Sequence, residues 1–360
     1  MMPTTVQQSD RDAKNKWTDQ FMRATTQTEE QEGEEILTAT HPEQEPILFP
    51  ELPVVDSHIH LWDRTGFDYF AAEFLADATD GHNVEASVYV ECNMHYSDDP
   101  RPEYQPIGET LFALAEAGRA EGHAHRLNQG ILFAADLLMG EAVAPVLDAQ
   151  IEAGQGRCAG VRFRVAYDDD PVAGYHEIGY QAGDVLESPA FEAAARELAR
   201  RGLVLDLWAF HTQLERVRAF AERVPELSIV LDHVGGPLGV GRYESLVDEV
   251  FADWSRGITL LAQAPNVQVK LSGLGISRMG FNFQATRSDQ LVAAWGRYVR
   301  HCVAAFGPER SIFGSNFPVD RRVAGYRTLL NGYKKMLADL SDDERLAIFS
   351  GNARKTYRLR

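Results

Sequence analysis

Two histidines one residue apart close an apolar run in "VVDSHIHLWD", residues 54–63. Side chains alternate faces along a strand, so Asp56, His58 and His60 are expected on one side of it. A metal, a substrate or a hydrogen-bond network would each satisfy three polar groups gathered there. Similar breaks recur along the chain. Glu91 ends "SVYVE" in line with Ser87 and Tyr89, "GVRFRV" puts Arg162 and Arg164 on one face, and "LVLDLW" aligns Asp206 with Val204 and Trp208. His233 ends a sixth apolar run, Lys270 and Ser272 lie on a seventh, and Asn316 ends an eighth. Each alone has a plain structural explanation: a satisfied core histidine, an Arg–Asp tie between strands, a lysine neutralising a carboxylate. Together they share the predicted interior face, and burying so many ionisable groups is costly unless they are paired, coordinated or used. Asp56, Glu91 and Asp206 balance Arg162, Arg164 and Lys270 in charge. Metal-bound and metal-free sites both stay open.

The elements that must position these residues follow a rhythm after residue 50. Eight strand candidates, from "LPVVDSHIH" to "RSIFGSNFP", alternate with amphipathic segments. Ser188-Pro189 opens one helix and Gly202 stops it; Thr212 precedes another; Ser341 and Glu344 form a capping box, with Gly351 as the expected stop. This alternation predicts an α/β fold, a (β/α)8 TIM barrel, in which sites gather at the C-terminal ends of the strands. Residues 92–106 would be a loop over that mouth. No GxGxxG or GxxxxGK[ST] follows a strand, which weakens a nucleotide-binding alternative. Residues 1–46, rich in Gln, Thr and Glu, predict an acidic N-terminal extension, disordered or docked on a partner through Trp17 and Phe21. The barrel would span 47–360.

Across 360 residues, 44% are hydrophobic and the net charge is −18, which suits a large core and disfavours nucleic acid or an anionic membrane as partner. Three cysteines without zinc spacing, no apolar run of membrane-spanning length and a polar start predict a cytoplasmic protein.

"VVDSHIHLWD", "VYVEC", "GVRFRV", "IVLDHVGGPLG", "PNVQVKLSGLG" and "FGSNFPVD" resemble, in order and spacing, the amidohydrolase-related, lactonase-like TIM-barrel family of the amidohydrolase superfamily. The resemblance covers about residues 52–358. It implies a hydrolase of a small carboxylate-bearing lactone, ester or amide, with a divalent metal (Zn, Mn or Fe) or a metal-free mode. It makes His58, His60 and His233 metal or substrate ligands, with Glu91 a further metal ligand, and Arg162 or Arg164 the anchor of an anionic group. Lys270, Trp208 and Asn316 complete the substrate contacts. Asn316 stands where such hydrolases carry the aspartate that takes the proton of the attacking water, and an amide cannot do so near neutral pH. Asp320 or Glu91 would then supply the carboxylate, with His233 beside it. That departure also admits a non-haem iron or manganese oxygenase, or a non-catalytic barrel subunit in a homo- or hetero-oligomer.

Overall fold

The computed structural model describes residues 45–359 apart from Thr65 and residues 175–183. Most of the expected extension, with Trp17 and Phe21, therefore lies outside the described residues. Its last two residues do not: Glu45 is buried and accepts from the backbone N–H of Ser288, while the carbonyl of Pro46 accepts from Asn331.

Eight parallel strands stand in sequence order: β1 (Val54–Ile59), β2 (Val84–Val90), β3 (Arg126–Phe133), β4 (Cys158–Arg164), β5 (Val204–Trp208), β6 (Ile229–Leu231), β7 (Val267–Leu271) and β8 (Ser311–Phe313). Each pairs with the next. Just past their ends, β8 returns to β1 through a parallel bridge between Ile59 and Phe317, and Asn316 N donates to the carbonyl of His58 at 2.8 Å. A sheet that closes on itself leaves no edge exposed. Eight helices follow the strands in turn: α1 (Ala71–Ala78), α2 (Ile107–Arg119), α3 (Ala144–Ala153), α4 (Pro189–Arg200), α5 (Leu214–Arg223), α6 (Val247–Leu261), α7 (Ser288–Phe306) and α8 (Tyr326–Met336). This is the expected (β/α)8 barrel.

Two apolar layers hold it. The larger packs the outward faces of the strands against the helices, with Phe74, Phe163, Phe191, Trp254 and Trp295 fully buried or nearly so. The smaller, built from Val55, Ala86, Val88, Val90, Leu132, Val204, Val230 and Ile312, fills the barrel axis, with Tyr357 from the C-terminal end. Residues on alternate strands fill such an interior in layers.

The caps match the sequence in part. Ser188 accepts from Phe191 N to start α4, and the Ser341–Glu344 box starts a short helix, Asp342–Leu346. Thr212 caps nothing, because a single turn over His211–Gln213 precedes α5. Gly351 is not a stop: the backbone stays helical through a wider π turn over Ala347–Gly351 and on to Thr356. No helix among the described residues is long and apolar enough to cross a membrane.

Candidate active site

Strand parity fails in two places. The register of β1 against β2 slips between Asp56 and Ile59. Asp56 consequently leaves the interior: its carboxylate accepts from Ser315 N at 2.8 Å, His58 N at 3.3 Å and the Tyr326 hydroxyl of α8 at 2.9 Å. On β2 it is Val88 and Val90 that face the axis, while Ser87 accepts from Asn128 N and Tyr89 donates to Glu109 on α2. Glu91 still reaches the interior because it lies just past the strand end.

The centre forms where β1, β6 and β7 meet. The ring centroids of His58 and His233 are 4.5 Å apart, and those of His58 and His60 5.0 Å. Asp232, between Leu231 and His233, is fully buried, with Oδ1 3.5 Å from His58 Nδ1 and 3.2 Å from Lys270 Nζ. Lys270 also pairs with Asp206 and stands 3.3 Å from His58 Nδ1; the Tyr357 hydroxyl donates to Asp206 from below. Interior carboxylates and cations thus remain three against three, with Asp232 in the place expected for Asp56.

Local backbone aims these groups. His233 and Val234 both adopt left-handed conformations (φ 54° and 49°), which is strained for a β-branched residue. That turn swings the His233 ring between the edge-on indole of Trp208, at 4.6 Å, and Ser272 Oγ, 3.0 Å from Nδ1. Gly273 is obligatory beside it, since a Cβ there would stand 2.1 Å from His233 Nδ1.

The rim is cationic. Arg162 and Arg164 both donate to Glu91 Oε1, at 3.0 and 3.2 Å, and Arg162 Nε lies 3.6 Å from Asp232 Oδ2. These three residues, with Asn93, Tyr96 and Pro106 of the 92–106 loop, line a cavity of about 190 Å³.

Burial pushes His58 and His233 well below the ordinary imidazole range and His60 down to about 3, so all three are neutral at pH 7. Burial works to raise Asp232, but the Lys270 ammonium beside it outweighs that and holds the carboxyl well below the usual range. Glu91 follows the same logic, with Arg164 and Arg162 overcoming burial. Burial raises Asp320 to about 7; its oxygens accept from Asn316 Nδ2 at 2.8 Å and Gly275 N at 3.1 Å.

Among the described residues, the donor atoms of His58, Asp232 and His233 lie within 4.8 Å of one another. Neutral imidazoles and an ionised carboxylate are the forms that bind metal; His58 Nε2 is buried without a hydrogen-bond partner, and the Asp232 oxygens meet Lys270 and Arg162 as ion pairs only. The set fits a divalent cation. It differs from the expected one by including Asp232; His60, whose Nδ1 meets the Val90 carbonyl at 2.9 Å, stands beside the group, and Glu91 is taken up by the two arginines. Asp232 was missed in the sequence, although it stands two residues after the inward-facing Val230.

Comparison with known proteins agrees with this architecture. The family model described as Amidohydrolase matches residues 55–359. The uncharacterized protein y4mH of Sinorhizobium fredii is 30% identical, over 86% of this chain and 99% of its own. The L-fucono-1,5-lactonase of Burkholderia multivorans is 28% identical, over 85% of this chain and 96% of its own. A crystal structure of an amidohydrolase from Burkholderia multivorans with bound zinc superposes with a TM-score of 0.66 at 25% identity, covering 85% of this chain and 99% of that one. The oxygenase expectation draws no support from these relatives. With a barrel closed in sequence order, histidines at the ends of β1 and β6, and a match that runs from β1 to the C-terminal end, the chain belongs to the amidohydrolase family and is a hydrolase.

Proposed function

We propose that the chain hydrolyses a small lactone that carries a carboxylate. The observation that carries this reading is one juxtaposition: a guanidinium-lined cavity opens beside a buried group of neutral histidines and Asp232. Arg162 and Arg164 both donate to Glu91, which gathers two guanidiniums at the mouth of the cavity, where they can meet the substrate's anion. The family supplies the reaction class and the L-fucono-1,5-lactonase relative the lactone.

His58, Asp232 and His233 would hold a divalent cation, which when bound polarises the ring ester carbonyl and acidifies water. Trp208 walls the His233 side and excludes solvent. Water adds to the carbonyl carbon, the ring C–O bond breaks, and the product is an open hydroxy acid. Glu91 lines the cavity and Asp320 stands behind Asn316 at the end of β8; the water's proton is assigned to Asp320. A base works best when its pKa lies near the operating pH, and Glu91 is held ionised by two cations. Asn316, bonded to Asp320, positions that carboxylate.

A metal-free mode is the second reading, and one contact favours it. The ammonium of Lys270 has only protons to give, so His58 Nδ1 at 3.3 Å is the acceptor and Nε2 carries the hydrogen. His58 would then donate to the carbonyl instead of ligating a metal.

The test is a panel of sugar-acid lactones, neutral lactones and amides, with metal content measured on the same preparations. Acidic lactones should be hydrolysed, and Asp232→Asn should lower turnover by roughly 10²–10³-fold, the scale of losing one preorganised electrostatic group. Full turnover after chelation would select the metal-free mode. No hydrolysis of any lactone by zinc-loaded protein would overturn the proposal.

A further inference from the structure

The segment that follows β2 is gripped by one buried atom. Glu109 lies in the first turn of α2 and is 2% exposed. Its Oε1 accepts from Cys92 N at 2.7 Å, Met94 N at 3.1 Å and the Tyr89 hydroxyl at 2.9 Å. The two N–H groups flank Asn93, whose backbone is left-handed (φ 62°). N–H groups of a turn that converge on one oxygen are how a backbone cradles an anion. Here the anion comes from the chain itself.

A carboxylate that merely capped α2 would serve the unpaired amides of its own helix. The three donors to Glu109 all come from β2 and the loop after it. Other contacts press α2 onto the same loop. A Cβ on Gly108 would stand 2.2 Å from the His95 carbonyl oxygen and 2.6 Å from Ser97 N, and the His95 ring stacks on Phe112 at 4.2 Å. The turn matters to the site because Asn93 and Tyr96 line the cavity with Glu91, Arg162 and Arg164. The Tyr96 hydroxyl also donates to Asn93 Oδ1 at 3.2 Å. A left-handed turn at a residue other than glycine persists only while its surroundings hold it. Oε1 of Glu109 holds it from both sides.

We infer that Glu109 is a positioning residue for the substrate cavity: it fixes the 92–94 turn so that Asn93, backed by Tyr96, meets the polar oxygens of the bound lactone. The inference rests on the lactone reading above for the substrate. Glu109 itself touches neither the substrate nor the reacting atoms; it acts through Asn93.

The experiment follows hydrolysis of D-glucaro-1,4-lactone, a sugar lactone that carries a carboxylate, or of the fastest lactone in the panel if that one is not turned over. Hydrogen exchange over residues 92–97 is measured on the same proteins. Glu109→Met keeps the bulk of the side chain and removes the acceptor, whereas Glu109→Gln keeps an acceptor oxygen. Glu109→Met should raise KM by roughly tenfold with kcat nearly unchanged, the pattern of lost uniform binding, and should speed exchange over 92–97. Glu109→Gln should restore both to near the parent's values. Asn93→Ala should raise KM comparably, and the two substitutions together should be no worse than Asn93→Ala alone, because they act through one contact. If Glu109→Met does not fold, Glu109→Asp, which draws the oxygen back from the turn, carries the same expectations. Parental KM in the variant that lacks the grip, unchanged exchange there, or additive losses with Asn93→Ala would each overturn the inference. Absence of turnover of every lactone by the parent would instead overturn the lactone reading. Exchange alone would then decide the grip, with parental protection in Glu109→Met overturning it.

Discussion

The two halves of the catalytic end are built on opposite terms. In the centre, Lys270 is surrounded by Asp206, Asp232 and His58, all fully buried, and carboxylates outnumber cations. At the rim, two guanidiniums converge on Glu91, and among the described residues that line the cavity there the cations stand at the surface of the site. The centre also leaves His58 Nε2 buried without a hydrogen-bond partner, whereas at the rim both arginines donate to Glu91 Oε1. An excess of negative charge suits a cation; converging guanidiniums suit an anion. Reaction and recognition are thereby given to adjacent regions of opposite sign.

The sharpest way to break the contrast is to remove the cation of the centre. Lys270→Met leaves Asp206 and Asp232 buried together with only Arg162, 3.6 Å from Asp232, as a neighbouring cation. Deleting one member of a buried ion group costs about 3–5 kcal/mol, because the remaining charge is stranded. Urea unfolding at pH 7 should show a loss of that size. A loss below about 1 kcal/mol, the scale of an exposed pair, would mean the centre is not the electrostatic unit described.

This network also marks where the sequence could be read and where it could not. All eight strands were legible because each is a short apolar run between capped helices, and HxH identified the catalytic end. Parity fails on β1 because a slip in pairing register leaves no trace in residue types, which puts Asp56 outside; Asp232, by contrast, keeps the parity of Val230 and was legible. On β2, Ser87 and Tyr89 are polar enough to suggest the interior. They face the helices because α2 brings Glu109, and β3 brings Asn128, to meet them. Such pairings span 20 residues or more and belong to tertiary structure. Gly351 was misjudged for a related reason: a glycine stops a helix when the chain needs a left-handed turn, and here it keeps helical angles.

The rim is tested by substrate charge. Arg162→Met or Arg164→Met should weaken binding of an anionic lactone by ~1.5–3 kcal/mol, the range for hydrogen bonds to charged groups. The loss should appear mainly in KM, and a neutral lactone of the same ring size should be nearly unaffected. Equal losses for charged and neutral substrates would assign the arginines to holding Glu91 and the loop instead of the substrate.

Asp320 supplies the smallest effect and the finest test, because it obeys neither half's rule. Asp232 and Glu91 each touch a cation and are held ionised, whereas Asp320 accepts its hydrogen bonds from two neutral amides. Burial therefore dominates and lifts its carboxyl to about 7. The folded state favours the protonated acid more than the unfolded chain does. The resulting stabilisation is complete below the unfolded value near 4 and is lost as pH rises through about 7. Asp320→Asn cannot ionise, so its stability relative to the parent should improve between pH 5 and pH 8 by roughly 2 kcal/mol. The amide must present its NH2 to one of the two donors that the carboxylate satisfied, but that cost is the same at both pH values and drops out of the difference. Paired urea titrations give the number. Activity adds an independent readout: the parent's rate should rise with pH through about 7 as the base ionises, and that limb should vanish in Asp320→Asn. A flat stability difference would show that Asp320 is ionised throughout, held by its neighbours as Glu91 is held by the arginines. A surviving alkaline limb would give the water's proton to another group.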